Sequence, residues 1–132
     1  MADSPRTATA SPEIASALRT LVRDVAGVQA IVVASTDGFA LAQDGPQGHT
    51  ADRLAAMTNS MLGLASALGR ELHFGELDTL ILDAAHGKVL MLAIPGAQPR
   101  LLMTACDHSC VIGNVLWHAK QCVRFVADSA KR

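Results

Sequence analysis

The stretch from Ala51 to Leu72, ADRLAAMTNSMLGLASALGREL, constrains the fold more than any other part of the chain. At helical periodicity Leu54, Met57, Met61, Ala65, Leu68 and Leu72 fall on one apolar stripe, which predicts a single long helix packed on its own sheet. The other side carries Ala56, Asn59, Ser60, Gly63 and Ala67, where a solvated helix would normally show Lys and Glu. A helix with two unsolvated faces requires two neighbours. Small side chains let a second backbone come close, so another helix or a partner protein is expected on that side. Alanine also favours helix on its own account, and a simply bare face is the alternative reading.

Composition points the same way. Half of the 132 residues are hydrophobic and only 17% are charged. A single domain of this length cannot hide so much apolar surface, and contiguous exposed apolar area marks interfaces. A homo-oligomer or an obligate complex is therefore expected. The net charge of −1, with no Tyr and one Trp, disfavours nucleic acid as a partner. No segment approaches the roughly 20 apolar residues that span a bilayer, and Met1–Ser11 has no apolar core of the kind a signal peptide carries. Three cysteines, an odd number, read as reduced thiols in the cytoplasm.

Taken in order, residues 1–11 form a polar tail without periodicity, expected to be disordered. Residues 12–128 read as one domain and residues 129–132 as a C-terminal tail. Ser11-Pro12-Glu13 opens a helix: the serine caps free amides, proline suits the first position, and the glutamate faces the positive end of the dipole. Ile14, Leu18, Leu21, Val22 and Val25 give its buried stripe, and Gly27 ends it. Val28–Ala34 and Phe39–Gln43 are strands joined by a hairpin turn at Asp37-Gly38. Because Ala30-Ile31-Val32-Val33-Ala34 does not alternate, both faces of that strand are expected to be covered. An antiparallel sheet with helices on both sides follows. Asp44–Gly48 is a connection, and Thr50 is a candidate cap of the central helix.

Beyond that helix, whose end is expected to fray between Gly69 and Gly75, strands are expected at Glu76–Ala84, Lys88–Ile94 and Arg100–Ala105. The polar first one suits a sheet edge, where two copies could pair, and the second a position near the middle. A last helix, Cys110–Asp128, is expected to be capped by Asp107 or Ser109 and to bury Ile112, Val115, Leu116, Ala119, Val123 and Val126. Trp117 and Arg124 lie off that stripe, so the indole sits either under a loop or in an interface.

This order, α-β-β-α-β-β-β-α, resembles the Roadblock / dynein light-chain family, and within it the bacterial MglB-like regulators of Ras-like GTPases. The likeness is carried by Ile31–Ala42, by Ala51–Met57, Leu62–Ala65 and Leu68-Gly69 in the central helix, and by Leu80–Leu82 and Gly87–Leu92. It spans about Ile14 to Phe125. One departure is Cys110-Val111-Ile112-Gly113, where the family often reads Ala-Asn-Leu-Gly. The resemblance implies an α+β sandwich: a five-stranded antiparallel sheet with helices on both faces, forming homodimers through edge strands and paired central helices. It implies a non-catalytic protein without a cofactor that binds a small Ras-like GTPase, or alternatively a structural scaffold or light-chain subunit indifferent to nucleotide. On this basis Ala56, Asn59, Gly63 and Ala67 are expected at the dimer interface, and Arg53, Ser60, Arg70 and Glu71 at the partner-binding margin.

Sharper chemistry finds little support in the residues. Cys106, His108, Cys110, His118 and Cys122 are zinc-ligand types, but their spacing fits no common knuckle and Cys122 falls on a buried stripe. Cys110 near a helix start, with His108 or His118 as base, lacks oxyanion donors and an orienting carboxylate. Gly45, Gly48, Gly63 and Gly69 lack the spacing of a phosphate-cradling loop, and no lysine follows. No catalytic residue and no metal site are expected, and any GTP belongs to the partner. A sensor domain for a small apolar ligand is a third possibility that the sequence leaves open.

Overall fold

The computed structural model describes residues 11–45 and 50–129. The expected N-terminal tail, apart from Ser11, lies outside these residues, as do the middle of the connection before the central helix and the end of the C-terminal tail. The elements are α1 (Pro12–Asp24), β1 (Val28–Ser35), β2 (Ala40–Asp44), α2 (Ala51–Glu71), β3 (Thr79–Ala84), β4 (Gly87–Ile94), β5 (Arg100–Asp107) and α3 (Ile112–Ser129). All five strands pair antiparallel in the order β2-β1-β5-β4-β3.

Local chemistry sets the boundaries. Ser11 Oγ accepts from the Ile14 amide at 3.1 Å, with proline in the first turn, so α1 starts where the sequence predicts. The β1–β2 hairpin turns through Gly38 at φ +92°, a conformation that suits glycine. The polar strand is indeed an edge, but it begins at Thr79 rather than Glu76: its register with β4 runs from Thr79–Leu92 to Ala84–Gly87. Asp78, just outside it, instead reaches Lys120 of α3 at 3.2 Å.

Both sheet faces are covered, and β1 shows how. Ile31 and Val33 face α1 and α3, where they join Leu18, Leu90, Leu102, Val115 and Val126 in the larger core. Val32 and Ala34 face α2 with Ala55, Leu62, Met91 and Met103 in the smaller one. Period-two alternation explains why a continuous apolar run is needed. Thr104, fully buried in the central strand, donates its hydroxyl to the Ala30 carbonyl at 3.2 Å.

Three local expectations are corrected. Thr50 stands at the N-cap of α2, but its side chain makes no capping hydrogen bond. Helix α3 starts at Ile112, not Cys110, and neither Asp107 nor Ser109 caps it. Asp107 Oδ1 instead accepts from the Ser109 amide at 2.9 Å, and the Cys110 amide donates to the Asp107 carbonyl, which spends these residues on a tight turn. The end of α2 is not frayed. His73 takes φ +59°, its amide donates to Arg70 and that of Phe74 to Gly69, which together form a Schellman cap.

Candidate interaction surface

Helix α2 alone covers its face of the sheet, and the way it sits decides what it offers outward. The residues it buries are Ala51, Ala55, Thr58 and Leu62. The expected stripe of Leu54, Met57, Met61, Ala65, Leu68 and Leu72 therefore does not form the sheet contact. Met57 is 49% exposed, Leu68 61% and Leu72 49%, and Leu64 reaches 74%. Only Leu54 and Met61 among the large ones are half-buried, packed at the margin of the smaller core. The physical reason is closeness. Alanines toward the strands let the helix axis approach the sheet, whereas a row of Leu and Met would hold it away.

Rotating around the helix gives three surfaces. On one flank stand Asp52, Ala56, Asn59 and Gly63, on the side of the β1–β2 hairpin. There the Ala40 amide donates to Asp52 Oδ1 at 2.9 Å, and a Cβ built on Gly38 would lie 3.5 Å from the Ala56 Cα. The small residue at 56 thus accommodates the hairpin turn. Gly63 has nothing within 4 Å of a built Cβ, so that part of the flank is open.

The outer crest, opposite the buried stripe, carries Arg53, Ser60, Ala67 and Glu71 at spacings of seven, seven and four, all exposed. Three of the four expected partner-binding residues therefore align. Arg70 lies toward the hairpin flank but shares a shallow groove with Ala67, Glu71 and His73 at the C-terminal end. The expected dimer residues separate: Ala56 and Gly63, both exposed, and half-buried Asn59 lie on the hairpin flank, and exposed Ala67 lies on the crest.

The third surface was missed as such in the sequence. Met57, Leu64 and Leu68 stand exposed on the flank away from the hairpin. Leu80 and Leu82 of the edge strand β3, half-buried, belong to the same core that Leu54 and Met61 border. An apolar band thus runs from α2 toward a strand edge. The available signal is the stripe itself, since periodicity marks an apolar face without telling whether it meets the sheet or a partner.

The three cysteines lie on the opposite side of the sheet from α2, in or against the larger core. Cys122 is buried in α3, and burial pushes its thiol up to about 11. Cys106 is buried in β5, where desolvation first and the neighbouring Cys110 second push its thiol up to about 12. His118 sits on exposed α3 surface with Nδ1 2.9 Å from the Asn114 carbonyl and its ring edge-on to Trp117 at 5.0 Å. That indole is 60% exposed, so no loop covers it. Among the described residues no three His, Cys, Asp or Glu side chains are grouped to hold a metal ion. None of the described helices is long and apolar enough to cross a membrane.

A five-stranded antiparallel sheet with two helices on one face and one long, incompletely covered helix on the other defines a Roadblock-type α+β sandwich. The chain belongs to the Roadblock/LC7 domain family, whose model matches residues 14–95. Solved structures share the fold. A Roadblock/LC7 domain from Streptomyces avermitilis superposes with a TM-score of 0.82 at 16% identity, covering 89% of this chain and 98% of that one. Myxococcus xanthus MglB gives 0.81 at 14% identity, with 91% and 96% covered. The gliding protein MglB of Thermus thermophilus gives 0.79 at 17% identity, with 99% and 95% covered. No curated protein matches the sequence at a significant level.

Proposed function

We propose that this protein is a non-catalytic, homodimeric, cytoplasmic regulator or adaptor that binds a small Ras-like GTPase through its α2 layer. The observation that carries the reading is the exposure of Met57, Leu64 and Leu68 along one flank of α2, in a chain of the Roadblock/LC7 family. Large apolar side chains in a row on a sheet-packed helix need a cover, and a second copy supplies an equivalent row. The pairing seam is placed along this flank rather than along Ala56, Asn59 and Gly63. Pairing leaves the crest of Arg53, Ser60, Ala67 and Glu71 accessible, together with Arg70, and that crest is the proposed GTPase contact. Its mixed charge and small side chains suit a reversible contact. The likeness to MglB structures supports this reading at the level of fold.

The test is a capture experiment with the tagged full-length protein in native extract. It is run in parallel with a non-hydrolysable GTP analogue and with GDP, and retained proteins are identified by mass spectrometry. A small GTPase enriched in one nucleotide state supports a regulator, because only differential affinity can bias a switch. A partner retained equally in both states assigns the protein to scaffolding instead.

A further inference from the structure

The turn between β5 and α3 brings two thiols together. Cys106 pairs across the ladder with Val28 on one side and Lys88 on the other, and its Sγ lies 3.5 Å from the Lys88 carbonyl. The Asp107 amide donates to the Gly27 carbonyl at 2.9 Å, and the Cys110 amide closes back on the Asp107 carbonyl at 3.2 Å. This folds Cys110 over Gly27, the residue next to Val28, so close that a Cβ on Gly27 would lie 2.7 Å from that of Cys110. Cys106 belongs to the larger core and Cys110 packs against that same core. Four residues apart across this turn, the two cysteines therefore sit over neighbouring residues, Cys106 opposite Val28 and Cys110 over Gly27. Cys106 is buried and Cys110 half-exposed, so one thiol is reachable from solvent and the other waits behind it.

We propose that Cys106 and Cys110 form a reversible intramolecular dithiol/disulfide pair that responds to hydroperoxides. Peroxide first meets the accessible Cys110. Its sulfur attacks one peroxide oxygen, the O–O bond breaks, and Cys110 becomes a sulfenic acid with release of water. The Cys106 sulfur then attacks the Cys110 sulfur. The S–S bond forms, the S–O bond breaks, and hydroxide leaves with the Cys106 proton as a second water. In total two thiols and one hydrogen peroxide give one disulfide and two waters, and two electrons pass from sulfur to oxygen. A small dithiol reverses the step by thiol–disulfide exchange. Closure ties the end of the central strand to the segment that launches α3, the helix bearing Trp117. Cys122, buried one helix away, takes no part.

The pair is tested on the full-length protein by titration with hydrogen peroxide, acid quenching, alkylation, intact mass measurement and peptide mapping. The expected result is a 2 Da loss, with a Cys106–Cys110 cross-link in the wild type and in Cys122→Ser, reversed by dithiothreitol. Cys106→Ser and Cys110→Ser should each abolish it. The wild-type map decides the pairing even where a variant folds poorly. An unchanged mass, a cross-link through Cys122, or progression of Cys110 to sulfinic acid without a cross-link would overturn the proposal.

Discussion

Gly27 and Cys110 stand closer than any side chain at residue 27 permits: a built Cβ falls 2.7 Å from the Cys110 Cβ and 2.9 Å from its Cα and N. Gly27 also holds φ +89°, which L-residues rarely adopt. The glycine therefore does more than end α1; it lets the turn before α3 dock against the start of β1. Gly27→Ala should destabilise the fold by about 2–4 kcal/mol, the sum of backbone strain and overpacking. Urea denaturation checks this, and a loss below about 0.5 kcal/mol would show that the turn shifts freely.

His73 presents the opposite case. It occupies the left-handed position of the α2 cap at φ +59° without being glycine. His73→Gly should relieve that strain and raise stability by roughly 0.5–1 kcal/mol, seen as a higher thermal midpoint. An unchanged or lower midpoint would mean that the His73 side chain contributes contacts outweighing the strain.

The buried thiols give stability a dependence on alkaline pH. The Cys122 thiol, ordinarily near 9.0, is raised to about 11 in the folded protein. Between those values the unfolded chain has released a proton that the folded one retains, so the unfolded state binds fewer protons and stability falls as pH rises. The contribution is complete below pH 9 and declines by roughly 1.4 kcal/mol per pH unit up to about 11. Cys122→Ala should flatten this slope, whatever constant cost the lost packing adds. Denaturation series at pH 8, 9 and 10 on both proteins measure it, and parallel slopes would refute the assignment.

How much of this was legible in the sequence differs from element to element. The Asp37-Gly38 turn, the Ser11 cap and the apolar run of β1 each report a local requirement, and the structure meets them. The facing of α2 was not legible in the same way. Its larger apolar residues, Leu54, Met57, Met61 and Leu68, dominate any reading of periodicity, while the sheet contact is made by Ala51, Ala55, Thr58 and Leu62. Hydrophobicity ranks the faces of a helix but does not tell a core from an interface. The α2 cap was hidden because histidine stands where glycine is the usual sign. The start of α3 was misplaced because Asp107 and Ser109 serve the turn instead of the helix. For the site, Arg53, Ser60 and Glu71 share an exposed crest, whereas the expected pairing residues divide between two surfaces.

The two flanks of α2 make separable predictions. Gly63 is open, so Gly63→Leu should leave the monomer intact and gain up to about 1 kcal/mol of helix propensity. If pairing ran along that flank, the same change would split the dimer by forcing the helices apart; on the present account the dimer persists.

Sedimentation analysis of the full-length protein beside Leu64→Lys tests the central claim most directly. Leu64 is 74% exposed within one chain, so the substitution costs the fold little, while in a dimer it places a charge in the apolar seam. The account predicts twice the chain mass for the wild type and a folded monomer for the variant. A wild type that sediments as a monomer, or a Leu64→Lys dimer of unchanged affinity, would contradict it.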